Sequence, residues 1–228
     1  MLNRAARFFP ILRELKNLLP VGGTLVEIGS GSIGLGEFWD GPFVGCDTTF
    51  TSRPSGNMRA VRCSGHQLPF GDQSIDAVVV SDVLEHVPPA MREQVVSEVL
   101  RVTRLVAVFG YPCGPAAFAV DQKLYREYQK RGVQPPPWLE EHMRHPFPEE
   151  DLLQFLPPTW KKKVIPNDHL RFHHWMMKKE MFRLWNSLFR LALRAMPSFV
   201  ERFLERTNRE PSYRKIFVLI RHSEATYA

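Results

Sequence analysis

Apolar residues along this chain recur with two periods, and the switches between the periods outline its elements. Phe8, Phe9, Leu12, Leu15, Leu18 and Leu19 follow a helical spacing with Arg, Glu and Lys between them, which predicts an amphipathic helix over 1–20. Short apolar runs bounded by turn residues then predict buried strands at 24–28, 43–47, 58–63, 75–80 and 105–110. The run Ile75 to Val80 is nearly continuous, as a strand covered on both faces requires. Met91, Val95, Val99 and Val102 share one face of a helix that opens on prolines. After Pro112 the pattern becomes proline-rich and helical in pieces up to 158. Two further strands are expected at 159–166 and 213–222, with a helical insertion over about 173–206, broken at Pro197, between them.

Strands alternating with helices or short crossovers imply an α/β fold: a Rossmann-like, doubly wound, mostly parallel seven-stranded sheet with a helical insertion before the last strand. We read residues 1–228 as one domain, with an N-terminal helix (1–20), a ligand-binding core (24–112), a variable region (113–158) and the helical insertion (167–210). At 228 residues and 44% hydrophobic content the chain suffices for one self-supporting core. Cys46, Cys63 and Cys113 lie far apart without a CxxC pair, so reduced thiols in a cytoplasmic protein are the simplest reading. No stretch approaches the ~18 uninterrupted apolar residues of a membrane span. The N-terminus is too charged for a secretory segment; a basic transit peptide is its other reading.

Charge changes the picture only locally. Between Arg171 and Arg209 stand nine Lys and Arg against three Glu, an excess as large as the +6 of the whole chain. The segment is amphipathic: Met181, Trp185, Leu188, Ala192, Ala195, Phe199 and Phe203 form a stripe, and Lys178, Lys179, Arg183, Arg190 and Arg194 lie mainly off it. Three readings stay open: a packed insertion with a solvated outer face, a lid over an apolar pocket, or a face resting on an anionic membrane through 173–206. No nucleic-acid partner is expected, because no stacking motif accompanies the charge.

Candidate chemistry begins at "LVEIGSGSIGLGEF". Gly29, Gly31 and Gly34 form GxGxxG directly after a strand, and Asp47 ends the next strand, placed to accept ribose hydroxyls. Glu27 sets the sign of the ligand. Beside a pyrophosphate its carboxylate would repel; beside the ammonium and sulfonium of S-adenosylmethionine it would attract. The bland alternatives are a capping carboxylate at Glu27 and an Asx turn at Asp47.

With "CSGHQLPFGDQSIDAVVVSDVLEHV", these residues resemble the class I S-adenosylmethionine-dependent methyltransferases, in particular the small-molecule group with the LPF…LEH pattern, over about 24–112. The resemblance implies that Glu27, Gly29, Gly31 and Gly34 line the methionine part of the cofactor and that Asp47 meets the ribose. It implies the turn Ser64, Gly65 and His66 beside the adenine, and Ser81 and Asp82 next to the sulfonium. Where the family often has Asp-Ala, this chain has Ser64-Gly65, so a backbone group or His66 would meet the adenine.

The expected activity is methyl transfer from S-adenosyl-L-methionine to a small or lipid-linked acceptor, with a hydroxyl favoured. Its alternatives are a catalytically silent cofactor-binding protein and a dinucleotide-dependent oxidoreductase. His86, just past the fourth strand, is the candidate base, with a structural hydrogen-bonding role as its alternative. His142, His145, His169, His173 and His174 are further candidates, and Tyr111 is a candidate wall of the acceptor site. Asp82, Glu85 and His86 have a D-x-x-E-H spacing similar to the E-x-x-E-H of the ubiquinone-pathway and small-RNA methyltransferases, where it holds a divalent metal. L-E-H also occurs in relatives that need none, and we expect no metal here.

Overall fold

The computed structural model describes residues 2–222; Met1, the first residue of the expected 1–20 helix, and 223–228 lie outside the described residues. The seven strands are β1 (Leu25–Ile28), β2 (Phe43–Asp47), β3 (Met58–Arg62), β4 (Ile75–Ser81), β5 (Thr103–Pro112), β6 (Trp160–His169) and β7 (Ser212–Arg221). They form one sheet in the order β3-β2-β1-β4-β5-β7-β6. β1 to β5 pair in parallel, while β7 runs antiparallel between β5 and β6. The helices are α1 (Leu2–Leu18), α2 (Pro89–Val102), α3 (Gly114–Lys130), α4 (Pro137–His142), α5 (Leu170–Glu180), α6 (Arg183–Ala195) and α7 (Pro197–Glu205).

The near-continuous apolar runs follow from burial on both faces. Successive side chains point to opposite sides of a strand. Val78 and Val80 therefore pack with Val95, Val99 and Val102 of α2. Ala77 and Val79 pack with Phe8, Ile11 and Leu15 of α1 on the other face. Those three α1 residues are fully buried, and each contributes on the order of 1.5–3 kcal/mol by leaving water.

Two local features bear on the site. The glycine turn leads into a single 3-10 turn, Gly34–Glu37, rather than an α-helix. The basic insertion is broken a second time, between α5 and α6, in addition to the expected break before Pro197. Within it, Leu184, Leu188 and Leu191 of α6 are exposed, and no residue of α6 is buried. Phe189, Ala192 and Leu193 pack instead on a cluster that holds Leu2, Ala5 and Met176. The expected stripe through Leu188 thus divides: Ala192 turns inward and Leu188 outward.

Candidate active site

A cleft of about 610 Å3 opens at the carboxyl ends of β1, β2 and β4, where ligands of open α/β sheets bind. Gly29 forms part of its floor at φ +72°, and a Cβ there would lie 2.2 Å from Val83 Cγ2. One end is lined by Asp47, Thr48, Cys63, Ser64, Gly65 and His66; the other is lined by Asp82, Val83, His86 and Glu141, with Met91 and Val95 of α2 along the side. The Asp47 carboxylate accepts from the Gly31 amide at 2.8 Å and the Thr49 amide at 3.1 Å, locking the β2 end to the glycine turn. The bond to Thr49 is the Asx geometry, and Asp47 still borders the cleft. Ser64 Oγ lies 2.7 Å from His66 Nδ1 within the neighbouring turn.

Of the residues expected around a cofactor, Gly29, Asp47, Ser64, Gly65, His66 and Asp82 line this cleft, as does His86; Glu27, Gly31, Gly34 and Ser81 do not. Glu27 is buried beneath the turn, where Oε2 accepts the Leu35 amide at 2.7 Å. Burial pushes its carboxyl up to about 7, against the Leu35 amide and the charges of Arg7 and Arg4, which pull it down. The sequence argument from its charge therefore loses its footing. A Cβ on Gly34 would sit 2.0 Å from Glu27 Oε2, so the third glycine makes room for that carboxylate. Gly31 supplies the amide held by Asp47. Ser81 is buried, with no hydrogen-bond partner for its hydroxyl.

Asp82 takes a left-handed backbone, φ +51°, and turns its carboxylate onto two guanidinium groups. Arg214 of β7, 1% exposed, donates from Nε at 2.6 Å and Nη2 at 2.8 Å, and Arg7 of α1 donates at 3.0 Å. Burial would raise the Asp82 carboxyl, but the charges of Arg214 and Arg7 hold it well below the usual carboxylate range. Arg214 also donates to Asn167 Oδ1 at 2.9 Å. Arg214 stands beside Lys215 just ahead of the apolar run of β7, where a charged pair reads as an ordinary strand end, and sequence reasoning passed over it.

Beyond Asp82 lies a buried polar cluster. Glu85 is fully buried and neither of its carboxylate oxygens has a hydrogen-bond partner. Desolvation and the Asp82 charge raise its carboxyl to about 8, opposed by His142. His142 of α4 approaches Glu85 with Nε2 at 3.9 Å and holds Asp121 of α3 through Nδ1 at 2.6 Å. Burial opposes its protonation, but the Asp121 hydrogen bond and the Glu85 charge raise its pKa. Tyr213 donates to the same Asp121 oxygen at 2.8 Å and stacks on His173 at 3.4 Å, and His173 is held by Asp168 at 2.9 Å. His86 stands on the cleft wall with Nδ1 3.0 Å from Glu141. Burial and the neighbouring His142 lower its pKa, against the charges of Glu141 and Asp82.

The other expected residues lie elsewhere. Tyr111 is fully buried, stacks on Phe217 and donates to the Glu149 carbonyl; it is a packed strand-end tyrosine rather than a wall of the cleft. His169 caps α5 and His174 pairs with Glu127. His145 is half-buried and lines no part of the cleft. Glu141, Asp121 and Tyr213 were missed, because nothing local to their sequence says that the chain brings them to the end of β4.

The model of the methyltransferase domain family matches residues 28–107, the segment that builds the cleft floor and α2. An uncharacterized methyltransferase of Mycobacterium tuberculosis is 37% identical over 98 residues, covering 37% of this chain and 37% of that protein. The match thus spans well under half of that curated relative. A SAM-dependent methyltransferase from Archaeoglobus fulgidus superimposes with a TM-score of 0.50 at 15% identity, over 93% of this chain and 92% of that one. A geranyl diphosphate C-methyltransferase from Streptomyces coelicolor A3(2) does so at 0.51 and 13% identity, over 94% and 76%. At these identities the structures speak to the fold alone.

Proposed function

We propose that this chain, whose residues 28–107 match the methyltransferase domain family, is a class I S-adenosylmethionine-dependent methyltransferase that methylates an oxygen of a small, lipid-linked acceptor held at an anionic membrane surface. The cleft suits the cofactor. Its walls carry the carboxylates of Asp47 and Glu141, with Asp82 already offset by Arg214 and Arg7, and, among the lining residues, no Lys or Arg. That balance favours a cationic ligand over a diphosphate. A pyrophosphate also seeks a helix N-terminus, and here the glycine turn leads only into a 3-10 turn.

S-adenosylmethionine, when bound, supplies an electrophilic methyl group on a cationic sulfur. Asp47 would accept from the ribose, the turn 64–66 would border the adenine, and Asp82 and Val83 would flank the amino-acid end. The residues themselves align the partners and exclude water, which is most of what a downhill displacement needs. A hydroxyl acceptor must also lose a proton. His86, backed by Glu141, is the cleft-wall group that meets it.

Lipid presentation rests on one observation, the outward face of α6 and α7. Leu184, Leu188 and Leu191, then Met196, Phe199 and Phe203, are 42–70% exposed. Arg183, Arg190 and Arg194 fall on the adjoining flank of α6 by helical spacing. An apolar stripe edged by arginines suits a helix lying in the headgroup region of an anionic bilayer, where each basic residue contributes about 1 kcal/mol. Ile33 of the glycine turn, with Arg183 and Arg190 of α6, lines a neighbouring hollow, so the arginine flank of this face adjoins the glycine turn. No helix among the described residues is long and apolar enough to cross a membrane.

Two measurements test the proposal. Titration with S-adenosylhomocysteine should give saturable binding, and its absence removes the cofactor. Sedimentation with vesicles should show binding that requires anionic lipid and disappears in Leu188→Glu/Leu191→Glu. Equal partitioning to neutral vesicles, or none to anionic ones, removes lipid presentation while leaving the cofactor reading in place.

A further inference from the structure

Glu85, His86 and His142 each offer one ligating atom within 4.8 Å of the other two. Glu85 is wholly buried with both oxygens bare of hydrogen bonds. A buried carboxylate without a partner is costly, yet the fold surrounds this one with two imidazoles. His142 spends Nδ1 on Asp121 at 2.6 Å, which leaves Nε2 directed toward Glu85. The His86 ring stands 4.8 Å from the His142 ring and reaches the cleft wall. From this geometry we infer that Glu85, His86 and His142 bind a divalent transition-metal ion at the acceptor end of the cleft.

The donors fix the class of ion. Two imidazoles and one carboxylate suit zinc, manganese, iron or cobalt; magnesium and calcium prefer all-oxygen sites. Asp121 plays the part that carboxylates play behind metal-bound histidines, fixing the tautomer and the ring orientation. The site is not the D-x-x-E-H set that spacing alone suggests: both Asp82 oxygens are engaged by Arg214 and Arg7, and the third ligand comes from α4. Three protein ligands leave open coordination positions, and beside the cleft these would hold and acidify an acceptor oxygen, a role that replaces His86 as the free base while the ion is bound. Only that role, not the binding of the ion, rests on the methyltransferase reading.

The test is a Co2+ titration of protein stripped with EDTA, followed by visible absorption, with S-adenosylhomocysteine titrated into the same samples. We expect one Co2+ per chain with ligand-field bands, and at least ~100-fold weaker binding in Glu85→Gln and in His142→Gln. Asp121→Asn should weaken binding by roughly 10- to 100-fold. Far-UV circular dichroism and S-adenosylhomocysteine binding by each variant verify its fold; should Glu85→Gln not fold, His142→Gln carries the comparison. Absence of Co2+ binding, or equally tight binding in the folded variants, overturns the site. S-adenosylhomocysteine binding without Co2+ sinks this inference and spares the cofactor reading, and Co2+ binding without S-adenosylhomocysteine does the reverse.

Discussion

Replacing Asp82 with asparagine keeps the shape of the side chain and removes the charge that faces Arg214. The guanidinium is 1% exposed and donates two short hydrogen bonds to that carboxylate, while Arg7 donates a third from a more open position. Asparagine can accept through one oxygen only, and its amide nitrogen would face a guanidinium donor. Leaving a buried guanidinium without its counter-charge costs about 3–5 kcal/mol. In a domain of this size each kcal/mol moves the melting temperature by roughly 2–4 °C, so Asp82→Asn should melt about 6–20 °C lower in a calorimetric scan.

A buried ion pair replaced as a unit by apolar groups is often nearly neutral. Asp82→Asn/Arg214→Met should accordingly recover more than half of the loss. The pH dependence has a fixed sign. The folded-state pKa of Asp82 is depressed, so its stabilisation is present above the ordinary carboxylate value of about 4 and fades as pH falls toward the folded value. The gap between Asp82→Asn and parent should therefore close in acid. A single variant within about 1 kcal/mol of the parent, or a double variant no better than the single, would refute the reasoning. Binding of S-adenosylhomocysteine by the restored double variant then isolates any direct contact of Asp82 with the cofactor.

Glu27→Gln should show the opposite pH trend. The folded-state carboxyl is raised to about 7, so parent stability falls as pH rises from ~4 through 7, and the neutral variant should gain on it by about 3 kcal/mol over that window; parallel urea-melt profiles across pH would contradict this. Asp47→Ala should weaken S-adenosylhomocysteine binding by on the order of 2 kcal/mol, through lost charge-assisted bonds and a loosened glycine turn, and an unchanged dissociation constant in a calorimetric titration would remove Asp47 from the ribose site. Gly29→Ala should destabilise by at least ~2 kcal/mol, from the strained backbone and the clash with Val83 Cγ2. Val83→Ala in the same chain should return the steric part, and equal melting of the single and double variants would show that the clash is not the cause.

The order of elements was readable in the sequence because it rests on local signals. Ile75 to Val80 reads as a strand wherever it packs, the glycines after Ile28 announce a turn, and Pro89 opens α2. The seven strand positions follow from such runs, and Asp47, the 64–66 turn and His86 follow from their places at strand ends. What those signals could not assign was the direction of each charge. Glu27 and Asp82 both end strands at the same sheet edge, yet one folds under the turn to hold an amide while the other meets a guanidinium delivered by β7. Glu85 gains His142 and Asp121 only because α3 and α4 return over the end of β4, and α6 presents Leu184, Leu188 and Leu191 outward only because Phe189 and Leu193 find partners on α1 and α5. Periodicity is a property of neighbouring residues and survives without a fold. The pairing and burial of charge depend on contacts between distant segments, and those exist only once the chain has closed.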